Sequence, residues 1–286
     1  MKLDRIDLAD IHVPHRLAQA LHLQLGRIAS PVPVIEIAQA LDIAEIRVDV
    51  FDGFEGMLLT DRARSRGAIL ANKQHGQPRA RFTVAHELGH FLLERHELSG
   101  ENGFTCQARD LLETRENKQH LRQESEANRF AIELLAPPRL VDPHLSKEPE
   151  LKDAQRIRNE LDVSLEACVR RMLDRRDEPL AAVWSHQGRV RYIVRDRSFP
   201  FVPLRKGDRL PQTTHAFRVL TNARPGFSSF AETHSQAWTS RPDLDLYEQT
   251  RLTKDGHAVT LLWADLPDDD EYDDGDLPEL GVPRFR

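Results

Sequence analysis

The chain has 286 residues, 40% of them hydrophobic and 30% charged, so it can bury a sizeable core and has the composition of neither a disordered chain nor a membrane protein. The net charge of −6 argues against a general affinity for nucleic acid, but seven of the acids lie in residues 267–276, and the rest of the chain carries +1. Two cysteines, Cys106 and Cys168, are too few for a disulfide framework, and no apolar stretch is long enough for a signal peptide or a membrane span, so the expected location is the cytoplasm.

Residues 14–26 place Leu17, Leu21 and Leu25 near helical spacing, residues 33–41 do the same with Ile37, Ala40 and Leu41, and two short amphipathic helices are predicted. Three β-like segments follow at 46–51, 56–60 and 67–71, divided by glycines and charged residues, which predict a small twisted sheet. From Pro78, the segment RARFTVAHELGHFLLER puts Phe82, Ala85, Gly89, Leu92 and Leu93 on one helical stripe. An irregular polar stretch of about 25 residues comes next, long enough that such a loop is often functional. The helix EANRFAIELLAPP then repeats Ala127, Phe130, Ala131, Leu134 and Leu135 at helical spacing until Pro137 and Pro138 stop it. Residues 151–175 read as two helices with a turn at Asp162-Val163 and Ser164 as N-cap, the outline of a helix-turn-helix. Beyond Pro179 the runs AAVWSH, RVRYIVR, HAFRVL and HAVTLLWA predict strands. The whole reads as an α+β chain: a helical domain with a small sheet over 1–145, a helix-turn-helix-like segment over 146–178, a β-rich domain over 179–266, and a disordered acidic tail over 267–286.

The segment with the most chemical content is His86-Glu87-Leu88-Gly89-His90. An interval of four residues puts both imidazoles on one helical face, a turn apart, where two nitrogens can grip one ion. Glu87 lies about 100° round the helix and can stand beside the metal as a base without being a ligand. Gly89 weakens a helix by about 1 kcal/mol relative to alanine, which points to another backbone packed closely there. A catalytic zinc site needs a third protein ligand and an open fourth position. Glu124 is the candidate, with Asn128 one turn later placed to hydrogen-bond a ligand histidine. Glu126 is the competing choice, but it sits about 200° from Glu124, so the two cannot both face the ion. The bland alternative is a pair of surface histidines on a solvated face.

Two of these segments, RFTVAHELGHFLL at 81–93 and ESEANRFAIELLAP at 124–137, resemble the ImmA/IrrE family of bacterial metallopeptidases. GAILAN at 67–72 and DVSLEACVRRML at 162–173 are similar more loosely, so the likeness covers about the first 175 residues. The resemblance implies a zincin-like metallopeptidase domain with zinc held by His86, His90 and Glu124. In that arrangement the metal lowers the pKa of its water and polarises the scissile carbonyl, while Glu87 takes the water proton and passes it to the leaving amine. It also implies a helix-turn-helix repressor protein as substrate and, from relatives, a role in a DNA-damage or phage-response circuit. The stretch between His90 and Glu124 is longer than in the family.

Two further features bear on regulation. Cys106 lies in the long connection, from which a thiolate could reach the open zinc position and displace the water, although an idle thiol is an equal reading. Residues 188–209 carry Arg189, Arg191, Arg195, Arg197, Arg205 and Lys206 interleaved with Tyr192, Phe199 and Phe201, the elements of a groove for single-stranded DNA that would act as an activator. Strand alternation would equally put Arg189, Arg191, Ile193 and Arg195 on one solvated face. A second functional class stays open: a DNA-binding regulator built on the 151–175 helices, with a structural or idle metal site.

Overall fold

The computed structural model describes residues 2–27, 30–98, 103–106, 118–222 and 224–266. They fall into two compact units, Met1–Arg176 and Asp177–Arg286. The expected acidic tail lies outside the described residues. Among those residues no helix is long and apolar enough to cross a membrane.

The first unit begins with α1 (Pro14–Leu25), which has proline in its first turn and ends at Gly26 with φ of 63°, and α2 (Val34–Ala40). Strands β1 (Ile43–Asp49), β2 (Gly56–Thr60) and β3 (Gly67–Asn72) follow. β1 starts earlier than the predicted 46–51, because Asp42 takes a left-handed φ of 70° and turns the chain directly into the strand. The sheet gains a fourth strand, β4 (Gly103–Cys106), giving the order β1-β3-β2-β4. β1 runs parallel to β3, and the other pairs are antiparallel. Sequence alternation does not disclose β4, which falls within the polar connection and joins the sheet through backbone pairing with β2.

Helix α3 (Gln77–Leu92) packs on β2 and β3, and also against α4 (Lys118–Leu135), which in turn contacts α1. Of its predicted stripe, Ala85, Gly89, Leu92 and Leu93 are buried and Phe82 is half-buried, while Ala80, Val84, Leu88 and Phe91 are fully buried as well, so the helix is enclosed on more than one face. After the short α5 (Pro138–Val141) come α6 (Leu151–Leu161) and α7 (Leu165–Asp174). The turn between them is as the sequence predicts: Asp162 has φ of 51°, and the Ser164 side chain accepts the Ala167 N–H at 3.2 Å. This helical pair is an integral part of the first unit. Arg171, 2% exposed, donates to both carboxylate oxygens of Glu133 at 3.1 and 2.6 Å and to the Ala136 carbonyl at 2.9 Å, which ties α7 to the end of α4. Buried Asp153 on α6 accepts from Arg176 at 2.7 Å and from Ser146 at 2.8 Å.

The second unit contains β5 (Leu180–His186), β6 (Arg189–Arg195), α8 (His215–Thr221), β7 (Gly226–Phe227), β8 (Ala231–Thr233), β9 (Asp245–Leu252) and β10 (His257–Asp265). The sheet order is β6-β5-β10-β9-β7, with β8 also paired to β9. Val183, Phe199, Trp238, Leu246 and Leu262 form its core. The predicted strand HAFRVL is instead helix α8. Thr214 caps it by accepting the Phe217 N–H at 3.1 Å, and the Ala216 N–H donates to Glu248 at 3.0 Å. β9 was hidden from the apolar pattern because its inward residues include the buried polar side chains Glu248 and Thr250.

Candidate metal centre

Helices α3 and α4 approach each other where residue 89 has no side chain. A Cβ at Gly89 would lie 2.9 Å from Phe130 Cδ1 and 3.3 Å from Ala127 Cα, so the glycine is what the close approach requires. That approach brings the α3 histidines against the α4 carboxylate. His86 Nε2 lies 3.2 Å from Glu124 Oε2, and His90 Nε2 lies 3.2 Å from Glu124 Oε1. The two Nε2 atoms are 3.1 Å apart. His86, His90 and Glu124 are all buried, and one ligand atom from each falls within 4.8 Å of the others.

The outer nitrogens are held as well. His86 Nδ1 is 3.0 Å from Asn128 Oδ1, one helical turn beyond Glu124 on the same face, the position predicted for it. His90 Nδ1 is 2.9 Å from His96 Nδ1, and His96 Nε2 is 3.1 Å from Glu126 Oε2. Glu126 therefore points away from the converging atoms, toward His96 and toward Arg122 Nε at 2.7 Å. If both inner nitrogens are to offer lone pairs, both Nδ1 atoms must carry the protons, and the Asn128 oxygen and the His96 nitrogen stand where those protons would be accepted. Two imidazoles, each held through its outer nitrogen, and a carboxylate fit a divalent ion of the zinc class.

Glu87 is fully buried beside His86. The backbone of β2 lies directly on it: a Cβ at Gly56 would sit 2.3 Å from Glu87 Oε1 and 2.5 Å from Thr83 Cγ2. The electrostatics bind the cluster together. Burial opposes ionisation of Glu124, but hydrogen bonds and charge from the two imidazoles hold its carboxyl well below the usual carboxylate range. Burial pushes His90 down to about 3 and His96 down to about 4, so both rings are neutral near pH 7. His86 moves the other way: burial disfavours its charge, but Glu124 and Glu87 outweigh burial and raise it.

Sequence reasoning missed His96, which is 3% exposed, and His120, one turn before Glu124 with Nδ1 3.8 Å from its Oε1. Neither stands at a fixed helical interval from the histidine pair, because the chain between the two helices leaves the helical frame. Cys106 ends β4 opposite Gly56, so its backbone is close to the Glu87 side of the site; its side chain lies outside the described residues.

The basic stretch in the second unit is dispersed. β6 is an edge strand, and a register shift between Trp184 and Ser185 leaves Arg191 opposite no residue of β5. This breaks the predicted one-face alternation: Arg189 pairs with His186, whereas Ile193 packs on the core. Arg189 donates to the Gly207 carbonyl at 3.0 Å, and Arg195 to that of Phe199 at 2.8 Å. Tyr192 stacks on Trp184 with ring centroids 4.8 Å apart, and Phe199 is in the core. Arg197, Arg205 and Lys206 are exposed, as is Phe201.

Residues 43–173 match the peptidase M78 family model, described as an IrrE N-terminal-like domain. A transcriptional regulator from Mycobacterium tuberculosis is similar in structure, with a TM-score of 0.55 and 16% sequence identity over 91% of this chain and 80% of that one. At that identity the likeness shows the fold alone. No curated protein matches the chain.

Proposed function

From the premise that residues 43–173 are an IrrE N-terminal-like domain of the ImmA/IrrE family, we propose that this protein is a zinc-dependent endopeptidase that cuts a helix-turn-helix transcriptional repressor. The observation that supports it is the convergence of His86, His90 and Glu124 with Glu87 alongside. A zinc ion held there would supply Lewis acidity toward a water and a peptide carbonyl. Glu87, held between α3 and the β2 backbone, would accept the proton of the attacking water and deliver it to the leaving amine. Asn128 and His96 would keep the two imidazoles turned inward.

The proposed setting is cytoplasmic, in a stress response to DNA damage or in antiviral defence. Cys106 is proposed as a removable ligand that closes the open position until the enzyme is activated; Cys106→Ser should then raise basal cleavage. Single-stranded DNA is proposed as the activator, through Arg191, Arg197, Arg205 and Lys206. Its binding should weaken steeply with salt.

The reading as a DNA-binding regulator has less behind it. On and beside the α6–α7 pair, Arg156, Arg170, Arg171, Arg175 and Arg176 are ion-paired with Asp153, Glu166, Glu133, Asp142 and Asp153. Lys152 and Arg158 are exposed, but the cations already matched within the unit outnumber them and make a poor footprint for phosphates.

The test is Glu87→Gln, assayed for cleavage of a candidate helix-turn-helix repressor that the wild-type protein cuts. Zinc content should remain at one ion per chain, and cleavage should fall by about 10²–10⁴-fold. Near-normal turnover by the variant would refute the assignment.

A further inference from the structure

We infer that His96 and Glu126 are positioning residues that set the tautomer and orientation of His90 for metal binding, an inference that rests on the zinc reading above. Glu126, held by Arg122, can only accept at the 3.1 Å contact with His96, so the Nε2 of that ring carries the proton. The other ring nitrogen of His96, Nδ1, is 2.9 Å from His90 Nδ1. With an ion on His90 Nε2, the atom that faces Glu124 and His86, the His90 proton sits on Nδ1, and His96 Nδ1 is placed to accept it. Two successive hydrogen bonds thus determine which nitrogen of a buried histidine is open to an ion.

The surrounding chain is built to hold this arrangement. His96 is 3% exposed, and its ring meets that of His90 edge-on at a centroid distance of 4.9 Å. Its backbone is fixed from two directions: the His96 N–H donates to the Leu93 carbonyl at 2.9 Å, and the buried guanidinium of Arg64 donates to the carbonyls of both Leu93 and His96. Arg64 itself occupies a left-handed φ of 49°, unfavourable for a residue with a long side chain. That conformation sends the guanidinium to the segment that carries His96. The Nδ1 of His86 is supported by Asn128.

The experiment uses the full-length protein, with zinc affinity measured by chelator competition and the visible spectrum of the cobalt-substituted form as a second readout. His96→Leu should weaken zinc by about 10–100-fold and alter the cobalt bands. His96→Asn, which can place an oxygen near the former Nδ1, should recover most of the affinity and the wild-type spectrum. Glu126→Leu, which removes the acceptor, should give a smaller loss than His96→Leu. Should His96→Leu fail to fold by circular dichroism, His96→Asn and Glu126→Leu carry the test, and Glu126→Leu equal to wild type in both readouts overturns the relay. Tight zinc binding by wild type that His96→Leu leaves unchanged overturns the relay alone, as do equal losses in the leucine and asparagine variants, which would assign His96 to packing. A wild-type chain that binds no zinc overturns the zinc reading, and the relay with it.

Discussion

Gly89→Ala tests whether the metal centre depends on the spacing of α3 and α4. The added Cβ would lie 2.9 Å from Phe130 Cδ1 and 3.3 Å from Ala127 Cα, while comfortable carbon contacts are about 3.5–4.0 Å. Phe130 is fully buried and the second atom is backbone, so neither can swing aside, and the helices must part by roughly half an ångström. In stability the effects nearly cancel, because alanine gains about 1 kcal/mol of helix propensity and overpacking costs about 1–3 kcal/mol. Zinc binding has no such compensation, because His86 and His90 ride on one helix and Glu124 on the other. An opening that strains the ligand set by about 1.4 kcal/mol weakens zinc tenfold. Urea unfolding of the metal-free protein and chelator competition should therefore separate: stability within about 2 kcal/mol of wild type, zinc affinity down about tenfold or more. A variant about 1 kcal/mol more stable than wild type with unchanged zinc affinity would refute the argument.

Gly56→Ala touches no ligand but drives a methyl into Glu87, so zinc should be retained while cleavage falls about 10²-fold; normal turnover would mean the base is not held by β2. Arg171→Ala leaves the Glu133 carboxylate buried with only the half-exposed Arg129 beside it and should destabilise the first unit by about 3 kcal/mol in urea, whereas a change below about 1 kcal/mol would show that α7 is not anchored there. Glu248 accepts from Trp238 Nε1 at 2.6 Å and is pushed up to about 7 by burial, so the folded second unit holds a proton that the unfolded chain releases near 4.5. The stability this proton contributes is fully present below about pH 4.5 and is lost as the pH rises through about 7, by up to about 3 kcal/mol. Glu248→Gln should flatten that dependence in melts at pH 5 and pH 7, and an unchanged slope would exclude Glu248 as its source.

The sequence by itself determined the elements whose information is local. Periodicity and caps located α3, the α4 stripe and the α6–α7 turn, since proline, Ser164 and the 3.6-residue repeat act within one or two turns. The same repeat places His86 beside His90, and Asn128 beside Glu124, on single helical faces before any tertiary contact exists. Tertiary structure decided what depends on partners distant in the chain. The sequence already preferred Glu124 to Glu126, and what tertiary structure supplied is the rotation of α4 against α3 that turns Glu124 to the two histidines and Glu126 to His96. His96 enters only because Arg64, from another segment, holds its loop. β4 exists through pairing with β2, and 215–221 became a helix because Thr214 caps it and Glu248, on a strand more than twenty-five residues later, accepts an N–H of its first turn. In each case the deciding energy is a contact between residues remote in sequence, and no local pattern of side chains encodes such a contact.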